Sequence, residues 1–367
     1  MAENSILKNF AVIWEELVIR AAKEQPLVTL IGLAEALKVR VISKGPPHIY
    51  MMLHGIWKAI HNRLREIKNF FCIGHPITEE YVQTILGANL ADNEGYLSGD
   101  YSAATDGIYS FCSEEVIDSI ADQFGLSQFE RICSLHSLTG HKIVDPDDAS
   151  GISWKPQLRG QLMGSIMSFP VLNIINATAV RWSEEITHGR VIQLKDLKAA
   201  FNGDDIMART TREGYETWSR IIPLFGLSES IGKTFFSREF VQMNSTNFLK
   251  RPKSHKIERK DFIRPGGTSF MDCFFEETPI VNSGLLHNMK RSGGKGSIVD
   301  TEESESTIGS RANELWKRTP TSLRVKCFNL FLQLNEEVLK TYKLPYYIPE
   351  FLGGLGLPTE FSKPSII

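Results

Sequence analysis

The sequence has few cysteines, and they lie far apart. Five occur among 367 residues, and none forms a CxxC pair: Cys72, Cys112, Cys133, Cys273 and Cys327. An odd number without short spacings argues against a disulfide framework and against a structural zinc site. We therefore expect a protein of a reducing compartment.

Long apolar runs and targeting segments are missing as well. The longest apolar candidate, MGSIMSFPVLNIINATAV, is interrupted by Ser168, Pro170, Asn173 and Asn176. It is too polar for a bilayer span, which needs about 18–20 predominantly apolar residues. The N-terminus MAENSILKNF carries charges before any long apolar run, unlike a secretory signal or an Arg-rich transit peptide. The sequence predicts a soluble intracellular protein without a membrane span.

Neither sign of charge dominates the chain. Its 41 basic and 43 acidic residues give a formal net charge of −2, so the total indicates no nucleic-acid partner. Residues 38–68 nevertheless contain a single acid, Glu66, and a basic block: Lys38, Arg40, Lys44, Lys58, Arg63, Arg65 and Lys68. A solvated helix face and a binding surface explain such a block equally well. The length and the 42% hydrophobic content predict two or three packed units.

The order of apolar patterns and turn residues predicts an α+β fold. A short strand ends near Asp100, and after a loop an amphipathic helix begins at Asp106, whose carboxylate could cap free N–H groups. A glycine-marked loop then leads into a long buried helix that accommodates Pro170 in its first turn. Asn202-Gly203 predicts a hairpin between short apolar arms. Residues 291–310 lack apolar periodicity and are predicted to form a loop or linker.

Two adjacent carboxylates, Asp204 and Asp205, follow Gly203 in the predicted hairpin. Because Gly and Asp are common, a Gly-Asp-Asp triplet arises by chance in roughly one chain of this length in ten. Two divalent cations need ligands from more than one backbone position, and Asp100 is the candidate for the third carboxylate. If the two strands are neighbours, bound Mg²⁺ would relieve the mutual repulsion of the three. Gly203 would permit the turn and a close approach of substrate.

Short motifs stand in a fixed order along the chain: SGDYSAATD, RGQLMGSIMSFPVLNIIN, FNGDDI, a GK pair and FVQMNS. In this order they resemble motifs A to E of viral RNA-dependent RNA polymerases. The SFP wording and the terminal LGGLGLP are most similar to ourmia-like and narna-like (Botourmiaviridae-type) replicases, and EALKVRVISKG resembles motif F. The resemblance extends from about Leu33 to Pro358. It implies an α+β right-hand polymerase with fingers, palm and thumb, in which an antiparallel palm sheet packs on helices.

The resemblance assigns the three carboxylates to catalysis. Asp100 and Asp204 would be the principal ligands of Mg²⁺ or Mn²⁺, with Asp205 in support. The metals would activate the primer 3′-hydroxyl and neutralise the pyrophosphate leaving group. Lys233 would donate a proton to the pyrophosphate, although a solvated lysine after Gly232 explains this residue nearly as well.

Other residues would bind the nucleotide. Asp106 would accept a hydrogen bond from the ribose 2′-hydroxyl, the group that distinguishes RNA from DNA precursors, and it could cap a helix at the same time. Lys38 and Arg40 would lie over the triphosphate, because alternate residues of a strand face the same side. Lys44 is a weaker candidate for the same task.

Motif B would line the template and the nucleotide through Gly164 and Ser168, where small residues serve packing equally well. Many related polymerases carry an Asn eight residues after this glycine, and the chain has Leu172 there. Asn173 and Asn176 are the nearest amides, and Asn176 fits the ourmia-like pattern better. Either could instead satisfy backbone groups inside a buried helix.

The resemblance also implies a domain order and partners. The expected division is 1–94 (fingers with motif F), 95–124 (palm, motif A), 125–158 (fingers insertion), 159–262 (palm, motifs B to E) and 263–367 (thumb and C-terminal segment). Template RNA, nascent RNA and ribonucleoside triphosphates are the expected partners, in the host cell cytoplasm; the oligomeric state stays open. One alternative is a catalytically inactive or fragmentary polymerase-like RNA-binding protein, since about thirty residues precede motif F. Another is a reverse transcriptase, which usually lacks an acid at the place of Asp106.

Overall fold

The structure is a computed structural model that describes residues 2–35, 38–145, 153–252, 273–278, 285–286, 301–343, 345–349 and 352–358. Its contacts divide the chain into two units, one of residues 1–31 and 41–277 and the other of residues 32–40 and 278–367. The finer division into fingers, palm and thumb stays a prediction. All five cysteines are free thiols.

Eleven α-helices occur in the described part of the chain: α1 (Ala2–Lys23), α2 (Pro47–Glu66), α3 (Glu79–Leu86), α4 (Ala104–Gly107), α5 (Ser110–Phe124), α6 (Gln128–His136), α7 (Ser168–His188), α8 (Arg212–Ile221), α9 (Thr301–Arg318), α10 (Thr321–Leu334) and α11 (Glu336–Lys340). Within the described ranges, no helix combines the length and the apolar character that a membrane crossing requires.

The described strands are β1 (Leu27–Glu35), β2 (Lys38–Lys44), β3 (Glu94–Gly99), β4 (Lys142–Val144), β5 (Trp154–Pro156), β6 (Ala199–Asn202), β7 (Asp205–Thr211), β8 (Phe235–Ser237), β9 (Phe240–Met243), β10 (Thr246–Pro252) and β11 (Cys273–Thr278). They form sheets of order β2-β1-β4-β5, β11-β10-β9 and β6-β7-β3-β8. In the last of these every neighbouring pair is antiparallel. The candidate site lies at one end of this β6-β7-β3-β8 sheet.

The β6-β7-β3-β8 sheet is buried on both faces along β3, β6 and β7, because alternate residues of these strands enter different hydrophobic clusters. On one face, Leu97 and Phe201 pack with Val171 and Ile175 of α7. On the other face, Tyr96 and Met207 belong to a cluster with these residues of α3, β9, β10 and β11: Val82, Val241, Phe248 and Phe275. Burial on both faces fixes the register of the strands and so the position of their ends.

Helix α7 shows how the local sequence sets the boundaries of an element. It begins at Ser168 and ends at His188, and the following residue, Gly189, has a φ of 60°. Pro170 lies in the first turn, where its missing N–H leaves no hydrogen bond of the helix unmade. The predicted long buried helix with a proline near its start is therefore confirmed.

The predicted helix start at Asp106 is wrong. Asp106 lies in the short helix α4, while α5 begins only at Ser110, and no side chain caps the N-terminus of either helix. A Cβ atom on Gly107 would lie 2.7 Å from the carbonyl oxygen of Gly226. The chain therefore packs tightly against a second segment at Gly107, the last residue of α4.

The predicted loop at residues 291–310 is wrong in its second half, while residues 291–300 lie outside the described residues. Helix α9 begins at Thr301. Its buried residues Ile308, Ala312 and Leu315 recur at helical spacing. This periodicity begins only at the end of the predicted loop, which explains the error. In the second unit, these residues share a hydrophobic core with Phe331 of α10 and Leu339 of α11.

Candidate active site

The three carboxylates lie together at one end of the β6-β7-β3-β8 sheet. Gly99 of β3 pairs with Ile206 of β7, and continuing this antiparallel register by one residue places Asp100 opposite Asp205. Opposed residues of antiparallel strands have Cα atoms about 4.5–5.5 Å apart and side chains on the same face. Asp204 is the neighbour of Asp205 in the adjoining turn. Strand pairing therefore brings together residues about a hundred positions apart in the sequence.

The turn that carries Asp204 is a two-residue hairpin loop. Asn202 of β6 pairs with Asp205 of β7, so the loop residues are Gly203 and Asp204. The hairpin is confirmed, although its turn lies one residue later than Asn202-Gly203 suggested. Gly203 has a φ of 70°, which glycine adopts at little cost. Asp204 is exposed at the tip of the turn.

The carboxylates repel one another and attract a cation. Burial, followed by the charges of Asp204 and Asp100, raises the pKa of Asp205 to about 6. The Nζ atom of Lys233 lies 2.9 Å from Oδ2 of Asp100. This hydrogen bond, followed by the charge of Asp100, raises the pKa of Lys233, which therefore remains a cation.

The donor set fits Mg²⁺ or Mn²⁺, because both cations prefer carboxylate oxygens and both would relieve this repulsion. Over the described ranges, no three carboxylate, histidine or cysteine side chains stand in a ready-made ligand arrangement. Two of the carboxylates already have partners within the chain. Lys233 pairs with Asp100, and the backbone N–H of Asn244 donates to Oδ2 of Asp205 at 3.2 Å.

The backbone of Asp100 is fixed by the segment that contains Lys233. The hydroxyl of Thr234 donates to the Asp100 carbonyl at 3.2 Å and lies 3.3 Å from its backbone nitrogen. The N–H of Ser230 donates to the same carbonyl at 2.9 Å. The segment that contains Lys233 therefore holds the backbone of Asp100 through one backbone donor and one side-chain hydroxyl.

The tip of the β9–β10 hairpin supports Asp205. Asn244 and Ser245 form its two-residue loop, since Met243 pairs with Thr246. Both loop residues have positive φ, 51° and 57°, as the favoured tight hairpin turn requires. The side chain of Asn244 also accepts a hydrogen bond from Asn202 at 2.9 Å. The motif E hairpin thus contacts the carboxylate turn through backbone and side chain.

Two buried amides of α7 hold Gly203 from the other side. Oδ1 of Asn173 accepts the Gly203 N–H at 2.9 Å, and Nδ2 of Asn176 donates to the Gly203 carbonyl at 2.9 Å. Both asparagines are fully buried, with 0% of their surface exposed. The arrangement matches the backbone-satisfying alternative for these residues and leaves no exposed amide for a ribose. A ribose contact of Asn176 stays a prediction that this position does not favour.

Asn176 also connects the turn to motif A. Its Oδ1 accepts a hydrogen bond from the hydroxyl of Tyr101, the residue after Asp100, at 2.9 Å. That hydroxyl in turn accepts a hydrogen bond from the indole N–H of Trp218 at 3.3 Å. Burial raises the pKa of Tyr101, and the nearby charge of Asp204 adds to this effect. A continuous set of buried hydrogen bonds therefore joins the two segments that carry the carboxylates.

Asp106 is exposed, and the segment around it is tied to motif B. The N–H of Gln161 donates to the carbonyl of Thr105 at 2.7 Å, and the N–H of Gly160 donates to that of Ile108 at 2.8 Å. A Cβ atom on Gly160 would lie 2.6 Å from the Thr105 carbonyl oxygen. The backbone on both sides of Asp106 is thereby fixed, while its carboxylate faces solvent.

The rest of the motif B loop packs against its neighbours. Gly164 has a φ of 116°, and a Cβ atom there would lie 2.2 Å from the carbonyl oxygen of Ser43. The Ser43 N–H donates to the carbonyl of Met163 at 2.6 Å, and the exposed Lys44 follows directly. Ser168 is buried, and its hydroxyl donates to Oε1 of Gln161 at 3.1 Å. Gly164 and Ser168 thus shape the loop, and a direct nucleotide contact of either stays a prediction.

Lys38 and Arg40 belong to the second unit. The backbone of Lys38 starts β2, and its side chain lies outside the described atoms. Arg40 is exposed. Their predicted contact with the triphosphate therefore stays a prediction.

Sequence reasoning missed Tyr101, Thr234 and Asn244. Tyr101 carried a usable signal, because a polar hydroxyl beside Asp100 in a buried segment needs a partner. The Asn244-Ser245 pair between the apolar arms FVQM and TNFL is also a turn signal. No local pattern indicates that this turn contacts a carboxylate 39 positions earlier in the chain.

Comparison with known proteins shows which polymerases the chain is similar to. Over 342 residues the chain is 30% identical to the RNA-dependent RNA polymerase of Ourmia melon virus (isolate Melon/Iran/VE9). The aligned region covers 88% of this chain and 38% of that protein. This confirms the ourmia-like resemblance of the motifs. The chain spans less than half the length of this curated relative. No protein-family model matches the chain.

Solved polymerase structures share the fold. The RNA-dependent RNA polymerase of a human picorbirnavirus superposes with a TM-score of 0.61 at 12% identity, covering 90% of this chain and 59% of that chain. Its insertion loop deletion mutant gives a TM-score of 0.59 at 13% identity, covering 90% and 61%. The likeness confirms the predicted α+β polymerase fold.

Proposed function

We propose that this chain carries the catalytic core of a viral RNA-dependent RNA polymerase, which joins ribonucleoside triphosphates on an RNA template. The observation that carries the proposal is the antiparallel pairing of β3 with β7. Continued by one residue, its register sets Asp100 opposite Asp205, which is the neighbour of Asp204. Three carboxylates at the end of an antiparallel sheet suit a reaction that depends on positioning and electrostatics. In this proposal residues 95–124 and 159–262 form the palm.

Asp100, Asp204 and Asp205 are the residues that would hold Mg²⁺ or Mn²⁺. Bound ions would act as Lewis acids for the primer 3′-hydroxyl and for the leaving pyrophosphate. The chain supplies fixed ligands: Asn173 and Asn176 hold the backbone of Gly203, and Asn244 orients Asp205. The raised pKa of Asp205 supports the assignment, because burial and then the charges of Asp204 and Asp100 disfavour the ionised carboxylate, and a bound cation would offset both.

Exposed polar groups around the carboxylates would position the nucleotide. The Asp106 carboxylate would accept a hydrogen bond from the ribose 2′-hydroxyl, and its fixed backbone and exposed side chain suit this task. Lys233, protonated beside Asp100, would supply a proton to the pyrophosphate oxygen that leaves. Lys38, Arg40 and Lys44 are the candidates for the triphosphate. Template and nascent RNA would be the macromolecular partners, in the host cell cytoplasm.

Nucleotide choice tests this function. The purified chain is incubated with a short RNA template, Mg²⁺ and labelled ribonucleotides, or with the matching deoxyribonucleotides. We expect ribonucleotide incorporation that depends on the template sequence, with deoxyribonucleotides strongly disfavoured. Preferential deoxyribonucleotide incorporation would indicate a reverse transcriptase. RNA binding without incorporation would indicate a polymerase-like binding protein.

A further inference from the structure

A row of rings leads along the surface of α2 to the carboxylate turn. His54 and Trp57 have ring centroids 5.2 Å apart, Trp57 and His61 follow at 5.2 Å, and His61 and Phe169 at 6.3 Å. The first three rings recur at i, i+3 and i+7, so they share one side of the helix. We call these four residues the ring row. It joins helix α2 to the first turn of α7.

The ring row ends at the candidate active site. A Cβ atom on Gly203 would lie 3.3 Å from Cε2 of Phe169, so this ring lies against the turn that carries Asp204. Phe169 keeps 37% of its surface exposed. A strand that follows the row would therefore arrive at the carboxylates without leaving the protein surface.

The rings remain accessible. His54 is exposed, while Trp57 and His61 are half-buried, and Trp57 packs against the main hydrophobic cluster. Burial and the charge of Arg65 lower the pKa of His61, so its ring is neutral at physiological pH. Flat rings with one open side provide stacking surfaces for unpaired bases of any sequence.

The charges of α2 favour an anionic partner. The helix carries three basic side chains, Lys58, Arg63 and Arg65, and one acid, Glu66, which already pairs with Arg63 at 2.7 Å. Lys58 is exposed and follows Trp57 directly in the sequence. Cations beside open rings are the combination that binds single-stranded nucleic acid, in which the backbone is anionic and the bases stack.

We propose that His54, Trp57, His61 and Phe169 form a stacking platform for unpaired bases of an RNA strand running over α2 toward the Asp204 turn. The direction of the strand rests on the proposed function, whereas the binding does not require catalysis. Template and nascent RNA share the chemistry that the platform recognises. The experiment below distinguishes these two strands.

The test distinguishes base stacking on a ring from electrostatic attraction by a positive charge. It uses His54, because an exposed side chain can be replaced without disturbing the fold. The full chain and its variants are titrated with a fluorescent single-stranded RNA. His54→Ala and His54→Lys should each weaken binding about 5-fold or more, because a base loses its stacking partner. His54→Phe should bind like the unsubstituted chain, and Asn62→Ala, exposed on the same helix, serves as the control. Phe169→Leu tests the opposite end of the row and should weaken binding similarly.

Binding that is preserved in His54→Lys and lost in His54→Phe would overturn the platform and indicate a purely electrostatic contact. Unchanged binding in every ring variant would overturn it as well. A template–primer duplex with 2-aminopurine in the template overhang or near the primer 3′-end then identifies the strand. If the 2-aminopurine fluorescence of one strand is quenched and His54→Ala reduces that quenching, the result supports the platform. If neither strand is quenched, or if His54→Ala leaves the quenching unchanged, the result contradicts the platform. If the unsubstituted chain incorporates no nucleotide, that result counts against the polymerase function. The RNA-binding comparisons among the ring variants would still test the platform.

Discussion

The buried amide of Asn176 donates to the carbonyl of Gly203 at 2.9 Å and accepts from the hydroxyl of Tyr101 at 2.9 Å. One side chain therefore joins the turn with Asp204 to the segment with Asp100. Buried hydrogen bonds contribute modestly when made but are costly to leave unmade, because the remaining groups lose their water as well. The distance between the two carboxylate segments is thus set by α7.

Asn176→Leu should disturb this distance. The substitution leaves the Gly203 carbonyl without its donor and the Tyr101 hydroxyl without its acceptor, and it should lower the free energy of unfolding by about 2–4 kcal/mol. Asn69→Leu is the matched control, since Asn69 is also fully buried and donates to the carbonyls of Leu197 and Ala199. Well below both melting temperatures, only Asn176→Leu should raise the Mg²⁺ concentration needed for half-maximal incorporation. An equal shift in both variants would reduce Asn176 to a general packing role.

Gly203→Ala should damage activity more than stability. At a φ of 70° an alanine costs about 1 kcal/mol, and its Cβ atom would press on Phe169 at 3.3 Å. Gly125→Ala is the control, because Gly125 has a φ of 63° with nothing near its added Cβ. Chemical denaturation should show a comparable loss of stability for both, while incorporation should fall at least about tenfold for Gly203→Ala alone. Normal incorporation by Gly203→Ala would show that the turn tolerates displacement.

Asp205→Asn should stabilise the metal-free chain in a pH-dependent way. The carboxyl has a pKa of about 6 in the folded chain, above its ordinary value of 3.8, so the folded state favours the protonated form. Its ionisation therefore costs stability as the pH rises from 4 through 6. In EDTA, the variant should match the unsubstituted chain near pH 4 and exceed it by about 1–3 kcal/mol at pH 8. Denaturant titrations at both pH values measure this, and a difference independent of pH would contradict the account.

Divalent cations should raise the melting temperature, because ions that bind only the folded chain stabilise it. The rise should be smaller in Asp204→Asn, which removes one carboxylate from the turn. Asp196→Asn replaces an exposed acid outside the cluster and should keep the full rise. Thermal unfolding with EDTA, Mg²⁺ and Mn²⁺ provides the measurement. Equal rises in both variants would place the bound cation elsewhere.

The elements that carry the carboxylates could be predicted from the sequence, because their signals are local. Two apolar arms around Gly203 indicate the hairpin, and the proline near the start of α7 marks a helix beginning. The pairing of β3 with β7, which sets Asp100 opposite Asp205, has no local sequence signal. It was predicted from chemistry, because binding two cations requires carboxylates from more than one backbone position.

The supporting contacts could not be predicted, because they depend on packing between distant segments. The contact of Asn244 with Asp205 requires the β9–β10 turn to reach the end of another sheet. The sequence does not show whether the amides of Asn173 and Asn176 contact a ribose or backbone groups of the protein. Their complete burial in the structure favours the contact with backbone groups. Asp106 was expected to start a long helix. The close packing of Gly107 on Gly226 could not be predicted, because no local sequence pattern indicates which distant segment a glycine will contact.

Incorporation by Asp204→Asn tests the central claim most directly. The substitution keeps the size of the side chain and removes the charge at the exposed tip of the turn. With RNA template, Mg²⁺ and labelled ribonucleotides, we expect incorporation to be abolished while RNA binding is retained, and Asp196→Asn to behave like the unsubstituted chain. Incorporation by Asp204→Asn at the unsubstituted rate would contradict the assignment of this carboxylate cluster as the catalytic centre.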